Sequence, residues 1–358
     1  MIPASRRGVL AGIAGGSLAA PAVLRAQPRH AWRMVTSWPR NLPGPGVSAQ
    51  RLADRITSLS GGRITVELYG AGEIVPAFEV MDAVGRGVAE LGHSAAIFWL
   101  GKIRTAAFFT AVPFGLRPLE HIAWIELGGG QELWDELYAG FGVKPFMAGN
   151  TGMSMGGWFR RELRSASDLE GLKWRMPGLG GEMYRPLGVV QVSLPPGEIL
   201  PALQSGAIDA TEFAGPASDL ALGFYKVAPY YYWPGIHEPN GSSECLVNLR
   251  AWRALDEELR EVVATACATE NAYALAESER RNAAALEALV TEHGVELRRF
   301  PEEIIARARD SARALLQRFV EEGGIAARIA RSYRAMLEGL DGWPKVSVRG
   351  FLEARDGS

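Results

Sequence analysis

The sequence has few of the residues that bind metals through nitrogen or sulphur. Two cysteines, Cys245 and Cys267, and five histidines are scattered along 358 residues, with no CxxC or HxxxH pair. A structural zinc site is therefore not expected, and a bound ion would be a hard cation held by oxygen atoms. The two cysteines leave two alternatives open, a disulfide or two small buried apolar side chains.

The sequence also lacks an excess of basic residues and long apolar runs. Its net charge is −2 at pH 7, which does not favour binding to nucleic acid, because nucleic-acid-binding proteins normally have a basic face. After the N-terminus, no stretch approaches the roughly 20 apolar residues of a membrane span, so we expect a soluble mature chain. There is no P-loop, and residues 178–181 lack the spacing of a dinucleotide fingerprint, so no catalytic cofactor is expected.

The N-terminus has the pattern of an export signal. A basic pair, Arg6 and Arg7, precedes a mildly apolar stretch of small residues that runs to Ala22. This order is typical of a twin-arginine signal, and cleavage after Ala22 or after Ala26 fits it. We therefore predict a signal peptide over residues 1–26 and a periplasmic location. About 330 residues remain, enough for two domains.

Strand and helix patterns alternate through the first two thirds of the chain. Strand patterns at 32–36 and 64–68 flank a helix pattern, and the same rhythm restarts after the three glycines at 128–130. Such alternation predicts an α/β fold. Two blocks, each too small to hold the whole core, predict two lobes that face a cleft. The predicted lobes are 29–150, joined by about 237–255, and 151–236.

The amino-acid composition changes at residue 256. Residues 256–293 are rich in Ala, Glu and Leu and contain no Pro or Gly. This predicts one helix of about 57 Å, which is long enough to span both lobes or to reach a partner chain. Amphipathic helix patterns at 301–322 and 325–337 follow, within a helical C-terminal region over 301–358.

One motif indicates an enzyme. Residues 152–156 match G-x-S-x-G, in which Ser154 would be the nucleophile of a secreted serine hydrolase. The acid and the base of such a triad would come from Asp168, Asp209 or Asp219 and from His237 or His293. However, a nucleophile elbow is followed at once by a helix, whereas residues 154–159 alternate as a strand does. We therefore predict that the chain is not an enzyme and keep the hydrolase as the alternative.

Three charged residues lie where α/β proteins bind ligands. Arg175 ends an apolar strand pattern just before a glycine-rich turn, Glu212 follows another strand, and Glu238 lies in a Pro- and Gly-containing loop. Ligands tend to bind at such strand ends, and a guanidinium can hold a carboxylate through two parallel hydrogen bonds. A structural pairing of Arg175 with a glutamate remains equally open. Each glutamate is either a ligand-binding residue or a solvated loop residue.

Together, several segments resemble the extracytoplasmic solute receptors of the tripartite ATP-independent periplasmic (TRAP) transporters. The most specific are 148–152, 169–177 and 198–212. The resemblance extends from Trp32 to Leu352, and segments 43–46 and 128–134 are most similar to the branch that binds 2-oxo acids and lactate. It implies two α/β lobes that close over a small carboxylate, with a long helix across both lobes. It also implies membrane transporter subunits as partners and a homodimer formed by the C-terminal helices.

The resemblance implies roles for particular residues. Arg175 would clasp the substrate carboxylate, and a sodium or calcium ion would bridge substrate and protein. The implied metal ligands are Glu212, Phe213 and Glu238. The other implied substrate contacts are Ser154, Phe213, Asn150, Phe98 and Trp99. The chain departs from that branch twice, because Ser154 replaces a glutamine and Phe213 replaces a tryptophan. Serine is shorter and leaves room for water or a bulkier ligand, and phenylalanine lacks the indole N–H donor.

Overall fold

Two separate β-sheets organise the chain in the computed structural model, which describes residues 30–357; the predicted signal peptide, 1–26, lies outside these residues. The strands are β1 His30–Thr36, β2 Ile64–Tyr69, β3 Leu91–Ser94, β4 Val143–Asn150, β5 Gly157–Phe159, β6 Lys173–Arg175, β7 Val190–Val192, β8 Ala210–Thr211, β9 Tyr230–Trp233, β10 Ser242–Asn248 and β11 Glu296–Arg299. The helices are α1 Pro45–Leu59, α2 Val80–Arg86, α3 Pro118–Leu127, α4 Gly130–Ala139, α5 Gly178–Tyr184, α6 Pro196–Ser205, α7 Pro216–Leu222, α8 Leu249–Ala254, α9 Glu257–Thr291, α10 Glu302–Glu321, α11 Gly324–Leu340, α12 Gly342–Pro344 and α13 Gly350–Asp356.

The first sheet forms the core of one lobe. Its strand order is β2-β1-β3-β10-β4. Strands β1, β2 and β3 are parallel, whereas β10 returns late in the chain and runs antiparallel to both β3 and β4. All seven residues of β10 are buried, as expected for a strand inside a sheet that is covered on both faces.

The second sheet forms the core of the other lobe. Its order is β11-β9-β5-β8-β6-β7, with β6, β7 and β8 parallel and β5 antiparallel to both of its neighbours. Trp158 of β5 stacks on Tyr231 of β9, with ring centroids 3.9 Å apart. The aromatic run of β9 therefore supplies core packing for this lobe.

Helix α9 contacts both lobes. On the first lobe, its residue Glu270 accepts hydrogen bonds from Ser48 and Arg51 of α1. On the second lobe, its residue Asn282 accepts a 3.0 Å hydrogen bond from the backbone N–H of Ala217 in α7. These contacts confirm the predicted α/β fold, with two lobes and a long helix across both.

One predicted strand is shorter than expected. Only Gly157–Phe159 of the predicted strand 154–159 is a strand, because the preceding residues form a crossing between the lobes. There the backbone N–H of Thr151 donates to the carbonyl of Gly241, and that of Ser154 donates to the carbonyl of Glu238. The backbone groups of this crossing thus pair with the other crossing segment, before β10, and not with a sheet.

The two cysteines are free thiols in the structure. Cys245 in β10 and Cys267 in α9 are both buried and form no disulfide with each other. Of the two alternatives, the structure has the pair of small buried side chains. Among the residues that it describes, no helix combines the length and the apolar character that crossing a membrane requires.

Candidate ligand-binding site

A small cavity lies between the lobes, next to two segments in which the chain crosses from one lobe to the other. Its lining residues come from both lobes: Trp38, Pro45, Ala95, Ile97, Phe98, Thr110, Thr151, Arg175, Pro177, Phe213, Ala214, Glu238, Gly241, Ser242 and Ser243. Most of these side chains are apolar, and a few charged and hydroxyl groups lie among them. This composition is typical of a site for a small organic ligand.

Arg175 and Glu212 form a buried ion pair at the edge of the second sheet. Arg175 ends β6 and Glu212 directly follows β8, its parallel neighbour, so both residues lie at the carboxyl ends of strands. The Arg175 Nη1 donates 2.9 Å to Oε1 of Glu212 and 2.7 Å to its carbonyl, and Nε donates 3.0 Å to the carbonyl of Leu194. Burial lowers the pKa of the guanidinium, whereas the charge of Glu212 opposes this shift.

One nitrogen of the guanidinium has no partner. Arg175 is only 1% exposed, and its Nη2 has no hydrogen-bond acceptor. A buried donor without an acceptor is costly, since it has lost its water and gained nothing in return. Arg175 therefore pairs with a glutamate, which was one of the two alternatives, and one of its nitrogens is left without a partner.

A second buried carboxylate lies beside this pair. Glu238 belongs to the crossing segment before β10, and its Oε1 accepts a 3.4 Å hydrogen bond from Oγ of Ser154. Burial raises the pKa of the Glu238 carboxyl well above its usual range, and the like charge of Glu212 adds to the shift. His237, also buried, has its Nε2 at 3.2 Å from Oε2 of Glu212.

These three side chains could hold a cation. One ligand atom each from Glu212, His237 and Glu238 lie within 4.8 Å of one another. Two carboxylates and nearby backbone carbonyls are the donors that hard cations such as Ca²⁺ prefer. Two carboxyl groups share a single guanidinium, so a cation would stabilise the ionised form of Glu238. The residues present therefore fit a sodium or calcium ion.

The remaining predicted substrate contacts are placed differently from one another. Phe98 and Phe213 line the cavity, and the Phe213 ring centroid is 5.8 Å from Cζ of Arg175. Asn150 lies at the end of β4, where its side chain donates 2.9 Å to Asn240 and accepts from the backbone of Gly152. It orders the crossing segment and is not a lining residue.

Trp99, predicted with Phe98, is not a lining residue either. Its indole N–H donates 2.5 Å to Oε1 of Glu244 in β10, away from the cavity. Consecutive residues of the short 3₁₀ helix Ala96–Trp99 point in different directions, so one aromatic ring reaches the cavity and the next packs behind it.

The residues of the alternative hydrolase triad do not come together. Ser154 contacts Glu238 and not a histidine, while His237 contacts Glu212. Asp219 accepts hydrogen bonds from Trp158 and Tyr231, and the ring of His293 stacks on Tyr225. The segment after Ser154 leads into β5 and not into a helix. The geometry gives no support to a serine hydrolase.

Several residues of the site were not predicted as ligand contacts. His237 was considered only as a hydrolase base, although its place next to Glu238 in the sequence was a usable signal. Ser242 and Ser243 precede an apolar strand pattern and had no signal of their own. They reach the cavity because β10 returns to the first sheet from the other lobe.

The fold and the site define a class of protein. Two α/β lobes enclose a small cavity that contains a buried guanidinium. This is the architecture of a two-lobed solute-binding protein. The chain belongs to the family described as bacterial extracellular solute-binding protein, family 7 (DctP), whose sequence model matches residues 36–322. This is a family of transport proteins, not of enzymes.

Known relatives are similar over nearly the whole chain. A monocarboxylate 2-oxoacid-binding periplasmic protein of Nostoc sp. is 39% identical over 320 residues, which are 89% of this chain and 87% of the relative. The crystal structure of a TRAP transporter solute-binding protein from Bordetella bronchiseptica, a mixed-occupancy dimer with copurified calcium and picolinate, has a TM-score of 0.90 and 36% identity and covers 92% of this chain and 98% of its own. The corresponding protein of Pseudoalteromonas atlantica, with bound sodium and pyruvate, has a TM-score of 0.88 and 36% identity and covers 90% and 98%. The chain is thus a TRAP solute-binding protein.

Proposed function

We propose that this protein binds a small 2-oxo acid such as pyruvate, or lactate, together with a sodium or calcium ion, and delivers the acid to the membrane subunits of a TRAP transporter. The observation that carries the proposal is the unpaired Nη2 of buried Arg175 beside the cavity between the lobes. A carboxylate is the acceptor that best matches a guanidinium in a site without water.

The charges around the cavity favour a cation. Arg175 is already paired with Glu212, and Glu238 adds a second carboxylate nearby. A bound acid brings a third carboxyl group, and the ionised forms of all three repel one another strongly in a medium of low dielectric constant. Glu212, Glu238 and the carbonyl of Phe213 would hold the ion, which would then offset this repulsion. Relatives that contain sodium or calcium support this part of the proposal.

The other site residues would shape the cavity around the ligand. Phe98 and Phe213 would form its apolar walls, and Ser154 would orient Glu238 through its hydroxyl. Asn150 and Trp99 would act without contacting the ligand, because each holds in place a segment that carries lining residues. The side chain of Ser154 is shorter than the glutamine that is usual at this position, so it does not reach as far into the site. We therefore expect water or ligand atoms in the remaining space.

Binding would close the two lobes and so change the surface that the membrane subunits meet. We take the first lobe as 29–150 with about 237–255, and the second as 151–236. The twin-arginine pattern of Arg6 and Arg7 would export the chain to the periplasm already folded. The C-terminal helices over 301–358 would join two copies, as a dimer is known for the Bordetella bronchiseptica relative.

Calorimetric titration tests the proposal. Mature protein freed of ligand by unfolding and refolding is titrated with pyruvate, longer 2-oxo acids and lactate, with and without sodium or calcium. We expect saturable binding that weakens when the ions are omitted. Absence of binding to every one of these acids, by protein that has regained its native circular dichroism spectrum, would overturn the proposed ligand class.

Replacing Arg175 with lysine tests the role of its guanidinium. Arg175→Lys keeps the positive charge beside Glu212. However, the lysine ammonium lacks the planar guanidinium with which Arg175 donates to three acceptors and would also bind a ligand. We expect affinity for pyruvate to fall at least about a hundredfold, which is the loss of a charge-assisted pair worth about 3 kcal/mol. Arg298→Lys, in an ion pair with Glu162 within the second lobe and away from the cavity, is the matched control and should bind as the wild type does. Equal affinity of Arg175→Lys and wild type would remove Arg175 from the site.

A further inference from the structure

We propose that Ser242 is a ligand-binding residue, and that its hydroxyl contacts the oxygen on C2 of the bound acid. This rests on the proposed function, since it takes a 2-oxo or 2-hydroxy acid as the ligand. It adds a contact from the first lobe that selects for the group beside the carboxylate, whereas Arg175 binds the carboxylate itself from the second lobe.

The hydroxyl of Ser242 is buried without a partner. Ser242 is 1% exposed, it lines the cavity, and its Oγ has no hydrogen-bond partner within the part of the chain that the structure describes. A serine hydroxyl can rotate to find a partner nearby, so an unsatisfied one inside a protein is unusual. Its place on the cavity wall identifies the ligand as the missing partner.

The local backbone places this hydroxyl at the cavity. Ser242 pairs with Asn150 of β4, and the register of the two strands shifts between Ser242 and Glu244. Such an irregularity breaks the alternation of a strand and redirects a side chain. As a result Ser242 and Ser243, although consecutive, both line the cavity.

Two neighbours hold this segment in position. A Cβ on Gly241 would lie 1.9 Å from Oγ1 of Thr151, so a side chain at this position would displace the Thr151 hydroxyl that packs against the segment. On the other side, Glu244 accepts hydrogen bonds from Trp99 and Tyr138. Ser242 is therefore presented from a fixed backbone, as a specific contact requires.

The two unpartnered groups of the cavity define a ligand that spans it. Nη2 of Arg175 can only donate, which suits a carboxylate oxygen. The Ser242 hydroxyl can donate to a carbonyl oxygen or accept from a hydroxyl. It therefore suits both a 2-oxo acid and a 2-hydroxy acid, but gains nothing from an acid without an oxygen on C2. A ligand held by both groups also links the lobes.

Titrations with three acids of the same carbon skeleton test this. Ser242→Ala and wild type are titrated with pyruvate and lactate, and propionate, which lacks the C2 oxygen, is measured by its displacement of bound pyruvate. We expect Ser242→Ala to lose about tenfold in affinity for pyruvate and for lactate and to keep the affinity for propionate within about twofold, as fits the loss of one hydrogen bond.

Ser94→Ala is the matched control. Ser94 is buried in β3 next to β10, its hydroxyl is bonded to that of Ser37, and it does not line the cavity. We expect this variant to bind all three acids as the wild type does.

Different outcomes overturn different statements. If Ser242→Ala weakens the binding of all three acids equally, or of none of them, Ser242 does not contact the C2 oxygen, while the proposed function stands. If refolded wild-type protein binds neither pyruvate nor lactate, the proposed function fails, and the role of Ser242 in binding such acids fails with it.

Discussion

At the scale of single residues, the buried carboxyl groups of this protein differ in the partners that stabilise them. Glu212 is paired with a guanidinium, whereas Asp219 and Glu244 are surrounded by neutral donors. Burial raises the pKa of the Asp219 carboxyl to about 7 and that of the Glu244 carboxyl to about 8, although the hydrogen bonds that each receives oppose the shift. Neutral donors replace only part of the water that a carboxylate loses on burial.

The raised pKa of Glu244 predicts a pH dependence of stability. Its pKa is about 8 in the folded protein, against a reference value of 4.5. Between these values the folded state holds a proton that the unfolded state has lost. The stability that this proton provides is therefore fully present below about pH 4.5 and is lost as the pH rises towards 8.

Glu244→Gln removes this titration and keeps a polar side chain of the same shape. We expect the free energy of unfolding of wild type, relative to Glu244→Gln, to fall by several kcal/mol, on the order of 4, between pH 5 and pH 8. Urea denaturation at both pH values measures this difference. A constant difference between the two proteins would show that Glu244 does not titrate in this range. Exposed Glu353→Gln should give the same difference at both pH values.

At the scale of elements, helix α9 is attached unequally to the two lobes. Its residue Glu270 is fully buried and accepts hydrogen bonds from Ser48, Arg51 and Arg55 of α1. The helix also packs against α7, but there its hydrogen bond is a neutral one, from the backbone N–H of Ala217 to Asn282. We infer that α9 moves with the first lobe when the lobes open and close, because buried charged contacts are costly to break.

Glu270→Ala tests the strength of this attachment. The change leaves Arg51 and Arg55 without their main carboxylate, and we expect a loss of about 3 kcal/mol or more in the free energy of unfolding. Glu277→Ala also removes a carboxylate from Arg51 but at a more exposed position, so it should cost less than about 1 kcal/mol. Midpoints of urea denaturation measure both, and equal losses in the two variants would contradict the prediction.

At the scale of the whole molecule, the structure has its lobes in contact across the cleft. The hydroxyl of Ser218 in α7 donates 3.0 Å to the carbonyl of Pro43, and Arg104 in the first lobe pairs with Glu182 of α5.

The C-terminal segment, in contrast, is exposed to solvent. None of the residues of α12 and α13 is buried, and Trp343 and Phe351 are 67% and 62% exposed. Large apolar side chains exposed on one segment are typical of an interaction surface.

Removing residues 342–358 tests whether this segment joins two copies. We expect full-length protein to be a dimer in size-exclusion chromatography with light scattering, and the truncated protein to be a monomer with the same affinity for pyruvate. The melting temperature at low protein concentration should change little, because none of the described residues of the deleted segment is buried. Glu353→Ala, an exposed polar change, should remain a dimer. A monomeric full-length protein would contradict the prediction.

Much of the architecture follows from local patterns. The strands β1 and β2, the helix α1 between them and the long helix α9 each appear where the sequence indicates them, because their residues repeat with the period of one element. Residues of about 237–255 were expected to join the first lobe, but strand β10 itself was not predicted, and its place between β3 and β4 depends on a return of the chain from the other lobe. Nothing within residues 242–248 can indicate its neighbours.

Some features of the candidate site also follow from local sequence patterns, whereas others depend on the tertiary structure. Arg175 and Glu212 could be predicted because each ends a strand pattern at a position where an α/β sheet presents side chains. The sequence by itself also determined the family, through motifs that depend on consecutive residues. Only the tertiary structure decided that Nη2 of Arg175 and Oγ of Ser242 lack partners, that Trp99 lies behind the cavity, and that His237 meets Glu212. The reason is physical: a sequence pattern records the backbone period of each element, whereas a binding cavity forms where segments far apart in the chain bury their side chains against one another.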